Sequence, residues 1–262
     1  MNKILLFFLL FFVSTAFAQE RLIIIGGGER PKDALTKLIQ LSGDAQGEIL
    51  IITWASGEQP ASFESIREDL ASLSPIKIVH APMSPLTAES KITFLNQLKT
   101  AKGIFFTGGD QVRIMKVLED EELYKALHER YHQQVVFSGS SAGTAIMSEK
   151  MITGEGKFDV IDGTQVEVKK GLGLLTNAIV DQHFVKRQRE NRLMGLILLN
   201  PELLGIGIDE NTAVYVQDNY LAEVLGESQV LIFDTQGKEK ELKVSFLKKG
   251  DKYNLKKKKV IH

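Results

Sequence analysis

Residues 134–143 read QVVFSGSSAG, in which an apolar run precedes a cluster of small residues. The run predicts a strand, and the residues that follow the cluster suit a helix. A strand that turns sharply into a helix can hold a serine exposed and slightly strained, with small neighbours because larger side chains would clash. Such a turn also aims the next backbone amide at a developing oxyanion. Ser141 is therefore the candidate nucleophile, and Ala142 carries a candidate oxyanion amide.

Short apolar runs alternate with helical patterns up to this stretch. Several runs are almost continuously hydrophobic, as expected where helices cover both faces of a parallel sheet. The alternation predicts a doubly wound α/β fold with a mostly parallel sheet. The predicted strands are 22–25, 49–52, 76–79, 103–106 and 135–137, and the predicted helices are 31–42, 61–73, 88–101 and 111–131, the last broken near Asp120.

The pattern changes after Ser141. A β-hairpin excursion is predicted over residues 151–170, with Asp162-Gly163 as its turn. No repeat or low-complexity linker interrupts the chain, so residues 19–262 are expected to form one domain. The later predicted elements are a strand at 177–182, a helix at 187–199, a strand at 204–208 and a C-terminal antiparallel meander at 212–216, 220–225 and 229–233.

Residues 1–18 have the features of a signal peptide. Lys3 supplies the positive charge, 4–13 form the apolar core, and Ala16-Phe17-Ala18 fits a cleavage site. The apolar run is too short to cross a bilayer, which takes about 20 residues. We therefore expect an exported protein, periplasmic or extracellular, that has no membrane association once the signal is removed.

Composition excludes several classes of function. The chain has no cysteine, so a thiol nucleophile is impossible and covalent catalysis must use a hydroxyl. The formal net charge of -1 argues against nucleic acid as a partner. No group of His, Asp and Glu has the spacing of metal ligands, and Gly26-Gly27-Gly28 lacks both the G-x-G-x-x-G and the Walker patterns. We expect no cofactor, and we expect the glycines to allow close backbone packing beside the site.

A serine nucleophile needs a base and an orienting acid. His183 ends a predicted strand, and Glu210 ends another, so both are expected at the same sheet edge as Ser141. The chain order Ser, His, Glu disfavours the α/β-hydrolases, in which the acid precedes the histidine. The acid stays open at this point, because adjacent strand positions face opposite ways. Its rivals are Asp209, Asp181, Asp159 and Asp162.

An arginine-rich segment follows His183 directly. Arg189 and Arg192 are three residues apart, which would place them on one helix face near the base. Guanidinium forks suit a substrate carboxylate bound through two hydrogen bonds. A solvated basic face is the common alternative, and proximity to His183 favours a binding role.

Four separate strings together resemble the cyanophycinase family, a group of serine peptidases that also contains aspartyl dipeptidases. The strings are FTGGDQ at 106–111, GSSAG at 139–143, DQHF at 181–184 with the arginines that follow, and GIDENTA at 207–213. The resemblance implies a class I glutamine-amidotransferase-like α/β fold. It implies Ser141 as nucleophile, His183 as base and Glu210 as acid, with the amides of Ala142 and Gly109 as the oxyanion hole. It implies substrate contacts at Gln111, Asp181, Gln182, Arg187, Arg189 and Arg192.

The same resemblance implies hydrolysis of multi-L-arginyl-poly-L-aspartate to β-Asp-Arg dipeptides through an acyl-enzyme on Ser141. Two other functions stay open: an aspartyl or isoaspartyl dipeptidase, and an exported binding protein that kept the fold without activity. Because a storage polymer is intracellular, export would suit an enzyme that scavenges released polymer. The sequence leaves the oligomeric state open, with a homodimer as one option.

Overall fold

The computed structural model describes residues 19–157, 159–237 and 241–261. The predicted signal peptide therefore lies outside the described residues. Strands and helices alternate up to the candidate nucleophile, as predicted. These elements are β1 (Arg21–Ile25), α1 (Lys32–Leu41), β2 (Glu48–Ile52), α2 (Gln59–Ala71), β3 (Lys77–His80), α3 (Ala88–Thr100), β4 (Gly103–Phe106), α4 (Gln111–Val117), α5 (Glu121–His132), β5 (Val136–Ser140) and the short α6 (Ala142–Ala145).

The second part of the chain is rich in strands. It contains a single α-helix among the described residues after α6. Its elements are β6 (Lys150–Gly156), β7 (Val166–Lys170), β8 (Ala178–Gln182), α7 (Glu190–Leu199), β9 (Leu204–Ile208), β10 (Thr212–Gln217), β11 (Leu221–Gly226), β12 (Gln229–Asp234), β13 (Lys243–Lys248), β14 (Lys252–Asn254) and β15 (Lys259–Ile261).

A nine-stranded sheet forms the centre of the molecule, in the order β15-β14-β11-β10-β1-β5-β4-β2-β3. The strands β1 to β5 run parallel to one another, and the strands beyond β1 add on antiparallel. In β1, Leu22 and Ile24 belong to the hydrophobic cluster on one face, while Ile23 and Ile25 belong to the cluster on the other. Burial on both faces explains why the parallel strands are continuously apolar.

A second sheet has the order β13-β12-β9-β8, and β8 and β9 are parallel in it. The predicted C-terminal meander is therefore split between two sheets: β10 and β11 extend the large sheet, whereas β12 pairs with β9. The turn after β1 joins the two sheets. The amide of His183, after β8, donates to Gly26 O at 2.7 Å, and the amide of Asn211, after β9, donates to Gly27 O at 3.0 Å.

The predicted hairpin excursion is formed by β6 and β7, which pair antiparallel. Asp162-Gly163 lies in the connection between these two strands, as predicted, but this connection is longer than a two-residue hairpin turn. Asp162 caps a short 3-10 turn over residues 163–165 by accepting a hydrogen bond from the Thr164 amide at 2.9 Å. Gly163 packs against α7, where an added Cβ would lie 2.4 Å from Gly195 O, so this glycine serves helix packing.

The predicted break near Asp120 is confirmed. Asp120 caps α5 by accepting hydrogen bonds from the amides of Glu122 and Leu123. None of the helices in the described residues is both long enough and apolar enough to cross a membrane.

Candidate active site

Ser141 lies in a sharp turn between β5 and α6, with φ 54° and ψ -112°. Close packing explains the glycines around it. A Cβ on Gly139 would lie 2.3 Å from Gly143 O, and a Cβ on Gly143 would lie 2.2 Å from Phe106 O. Thr144, which sequence reasoning missed, fastens the turn because its Oγ1 lies 2.7 Å from both Ile25 O and Gly139 O.

The structure brings Ser141, His183 and Glu210 into one hydrogen-bonded line. Ser141 Oγ lies 2.9 Å from His183 Nε2, and His183 Nδ1 lies 2.6 Å from Glu210 Oε1. With the carboxylate as acceptor, Nδ1 carries the imidazole proton and Nε2 is free to accept the serine proton. This is the arrangement that activates a serine hydroxyl for nucleophilic attack.

The rival acids have other partners. Asp209 accepts hydrogen bonds from the Lys186 amide at 2.9 Å and from Ser228 Oγ at 3.0 Å. Asp181 forms an ion pair with Arg192. Asp162 caps the 3-10 turn, and Asp159 is exposed. Glu210 is thus the acid that contacts His183.

Burial lowers the pKa of the His183 imidazole, and the hydrogen bond to Glu210 opposes this effect by raising it. The positive charge of the exposed Arg187 lowers the pKa further, and the net result is a pKa below the ordinary value of about 6.5. At neutral pH the imidazole is therefore uncharged. An uncharged imidazole is the form that can accept a proton from Ser141.

This electrostatic arrangement predicts the acid limb of the pH profile. We expect kcat/KM to fall as the pH drops through the lowered pKa of His183, because the imidazolium cannot act as base. Replacing Arg187 with glutamine removes a charge that disfavours the imidazolium, so the limb should move to higher pH. Arg187→Lys keeps the charge and should leave the limb in place. The pH dependence of kcat/KM, measured at low salt for the wild type and both variants, tests this prediction. An acid limb that does not move in Arg187→Gln would contradict it.

Gly27 and Gly28 pack against the candidate catalytic groups, a specific role that was not visible in the sequence, while Gly26 packs against the backbone of Asp209. Gly27 has φ 116°, and an added Cβ would lie 2.3 Å from His183 Cε1 and 2.4 Å from Nε2. Gly28 faces Glu210, whose Cβ would lie 3.0 Å from an added Cβ. For Gly27 and Gly28, the predicted close backbone packing is thus against His183 and Glu210 themselves.

We expect Gly27→Ala to lower kcat/KM by at least about 100-fold, since a methyl group there displaces the His183 imidazole from Ser141. Alanine at a positive φ also costs about 1–3 kcal/mol of unfolding free energy. Gly250→Ala separates the two effects, because Gly250 has φ 88° and no atom within 4 Å of an added Cβ. It should lose stability but keep its activity. Equal kcat/KM values in Gly27→Ala and Gly250→Ala would show that the contact with His183 is not the cause of the loss.

Two backbone amides are candidates for the oxyanion hole. Ala142 follows Ser141 at the start of α6, and in the described part of the chain no acceptor pairs with its amide or with that of Gly109. Gly108, which follows β4, approaches the candidate nucleophile closely, since a Cβ on it would lie 3.3 Å from Ser141 Cβ, whereas a Cβ on Gly109 would meet Ala55 O at 2.2 Å. Ala142 is thus adjacent to the serine in the chain, and Gly109 follows the glycine that contacts it; their role as an oxyanion hole stays a prediction.

The residues expected to contact substrate have different environments. The side-chain amide of Gln111 donates to Ile152 O at 2.7 Å and Thr153 O at 2.8 Å, and so holds β6 beside the site. Gln182 is buried and its Oε1 accepts a hydrogen bond from Arg189 Nη1 at 2.8 Å. Among the predicted arginines, Arg187 is the exposed one.

The predicted helix over 187–199 begins later than expected, at Glu190. The chain between β8 and α7 turns tightly, with positive φ at His183 and Gln188, so Arg189 becomes the residue that precedes the helix. The expectation that Arg189 and Arg192 share a helix face is thus wrong. Both nevertheless face Asp181, at 3.6 Å and 2.5 Å from its Oδ1.

Within the described ranges, no group of three or more His, Cys, Asp and Glu side chains is arranged to hold a metal ion.

Comparison with known proteins matches this chain to one peptidase family and to several cyanophycinases. The model of "Peptidase family S51" matches residues 22–224. A cyanophycinase from Trichormus variabilis is 34% identical over 225 residues, which are 82% of this chain and 74% of the relative. A cyanophycinase from Geminocystis herdmanii is 31% identical over 263 residues, which are 92% and 95% of the two chains.

A solved structure supports the fold. The crystal structure of a peptidase from an acI-B1 actinobacterium superposes with a TM-score of 0.70 and 22% identity, over 91% of this chain and 98% of that one. At this identity the likeness concerns the fold alone. It agrees with a mixed α/β fold built on a large sheet with a parallel half.

Proposed function

The chain belongs to peptidase family S51 and is a serine-type peptidase, and on this basis we propose that it hydrolyses cyanophycin, multi-L-arginyl-poly-L-aspartate, to β-Asp-Arg dipeptides. The observation that carries the proposal is the hydrogen-bonded line from Ser141 through His183 to Glu210 in a chain 34% identical to a cyanophycinase. A binding protein without activity would have no need to keep these three groups within 2.6–2.9 Å of one another.

The proposed reaction has two halves. Ser141 Oγ attacks an aspartyl backbone carbonyl while His183 Nε2 takes the hydroxyl proton, and the amides of Ala142 and Gly109 stabilise the oxyanion. Collapse of the tetrahedral intermediate breaks the C–N bond, and His183 donates its proton to the leaving amine. Water then attacks the acyl-enzyme with His183 again as base, which releases the acid product and restores the serine.

The substrate carries a guanidinium and a carboxylate in every repeat, so it requires charged groups around the serine. Arg187 is exposed and close enough to His183 for its charge to lower the pKa of the imidazole. We propose Arg187 as the contact for a substrate carboxylate. Burial, with a smaller contribution from the charge of Arg192, lowers the pKa of Arg189 to about 10, so this second guanidinium stays charged at neutral pH.

Incubation of the purified protein with cyanophycin and, separately, with Asp-X and isoaspartyl dipeptides tests the substrate. We expect β-Asp-Arg as the product from the polymer, identified by mass spectrometry, and no product with Ser141→Ala protein. Cleavage of the dipeptides alone would replace the proposal with an aspartyl or isoaspartyl dipeptidase. Cleavage of neither, together with tight binding of the polymer, would favour an inactive binding protein.

Two further proposals concern the whole chain. We propose that it is exported after removal of residues 1–18 and acts on polymer in the periplasm or outside the cell, and the mass of the mature protein tests the cleavage site before Gln19. We also propose that the fold is of the class I glutamine-amidotransferase-like type. Its support is the strand–helix alternation, with the nucleophile just past the end of β5. A homodimer stays a prediction that sedimentation can test.

A further inference from the structure

A buried ion pair joins Asp181, two residues before the candidate base His183, to Arg192 in α7. Arg192 Nε donates to Asp181 Oδ2 at 2.6 Å, and Arg192 Nη2 donates to Asp181 Oδ1 at 2.5 Å. The side chains are 2% and 1% exposed, respectively. The guanidinium fork that the sequence suggested for a substrate carboxylate is therefore occupied by a carboxylate of the chain itself, in a place that solvent does not reach.

This pair is connected to His183 through the backbone. Asp181 and Gln182 end β8, and His183 follows with φ 50°. Asp181 Oδ1 also accepts the Gln182 amide at 2.9 Å, while Arg189 Nη1 holds Gln182 O at 2.7 Å. Since Arg192 lies in the first turn of α7, the pair ties the helix to the end of the strand that carries the base.

We propose that Asp181 and Arg192 form a positioning pair that holds His183 at hydrogen-bonding distance from Ser141 and Glu210. The inference rests on the proposed function of these three residues. The pair acts through His183 and does not touch the substrate. Its geometry is specific, because a guanidinium matches both oxygens of a carboxylate whereas an ammonium presents a single point charge. Weakening the pair should let the tight turn at His183 relax and move the imidazole by a fraction of an ångström or more.

The experiment uses a reagent that has no charge for the arginines to recognise. Diisopropyl fluorophosphate forms a bond between Ser141 Oγ and phosphorus, fluoride leaves, and His183 takes the hydroxyl proton. We expect Arg192→Lys and Asp181→Asn to slow this reaction by about 10- to 100-fold and to lower the peptidase kcat by the same factor, with KM little changed. The double variant should lose about as much as either single variant, because both residues act as a pair.

Lys258→Met is the matched control. Lys258 pairs with Asp234, which is 2% exposed, at 3.1 Å, and Asp234 ends β12 beside the beginning of β9, away from His183. This variant should lose stability but react at the wild-type rate. The pH profile of the phosphorylation rate gives a second measurement. In Arg192→Lys a weakened bond between His183 and Glu210 should move the acid limb to lower pH, whereas a loss of stability alone should leave it unmoved.

The outcomes separate the inference from the function on which it rests. Wild-type protein that fails to react at Ser141 would contradict the proposed function itself. Normal reaction in both single variants, with a raised KM for the peptide substrate, would overturn the positioning role and make the pair a substrate subsite. If Arg192→Lys does not fold, the isosteric Asp181→Asn decides between these results by the same rates.

Discussion

Replacing Ser141 with alanine is expected to lower kcat by roughly 10⁴- to 10⁶-fold, since the proposed nucleophile is lost and the proposed acyl-enzyme cannot form. The fold should persist. The backbone oxygen of Ser141 still accepts the amides of Thr144 and Ala145, and among the residues that the structure describes the missing Oγ hydrogen-bonds to His183 alone. Hydrolysis rates measure the loss, and thermal unfolding followed by circular dichroism shows whether stability changes.

Ser140→Ala is the matched control for this variant. Ser140 is the adjacent serine, ends β5, and is 6% exposed. Its hydroxyl is not part of the hydrogen-bonded line from Ser141 through His183 to Glu210, so we expect kcat within about tenfold of wild type. Full activity in Ser141→Ala, or complete loss in Ser140→Ala alone, would mean that the wrong serine has been identified.

Glu210→Gln is expected to lower kcat by about 10⁴-fold, with little change in structure. Glutamine has almost the same shape, but its amide can donate to His183 Nδ1 instead of accepting from it. The imidazole would then carry its proton on Nε2, where it faces Ser141 and cannot accept the hydroxyl proton. The loss therefore comes from the wrong tautomer, and steady-state kinetics at neutral pH measures it.

Asp209→Asn controls for a change of charge next to Glu210. Asp209 supports the chain by accepting from the Lys186 amide and Ser228 Oγ, and asparagine keeps one acceptor oxygen. We expect its kcat within about tenfold of wild type. If Asp209→Asn were the more damaging variant, Asp209 would be the orienting acid and the observed 2.6 Å contact of Glu210 would have another role.

The parallel strands and the turn at Ser141 could be predicted because their signals are local. A strand buried on both faces must be apolar throughout, and a sharp turn into a helix admits only small residues. The place of His183 and Glu210 past the ends of β8 and β9 follows from the same local signals. That they belong to a second sheet does not, since strand pairing depends on contacts between distant residues.

The surroundings of the site were harder to predict for the same reason. A triple glycine indicates a close approach but not what approaches. Here Gly27 meets the imidazole of His183, and Gly28 meets the side chain of Glu210. An arginine-rich segment indicates a carboxylate partner but not which one. The fork of Arg192 is taken by Asp181, eleven residues earlier in the chain, because the tight turn after β8 folds the helix back onto the strand.

The most direct test of the central claim is to map the site of covalent labelling and compare it with loss of turnover. After reaction with diisopropyl fluorophosphate, peptide mass spectrometry should find one modified residue, Ser141, and residual activity should fall in proportion to its occupancy. Ser141→Ala protein should stay unlabelled. Labelling of a different serine, or full peptidase activity in protein completely modified at Ser141, would contradict the assignment of Ser141, His183 and Glu210 as the active site.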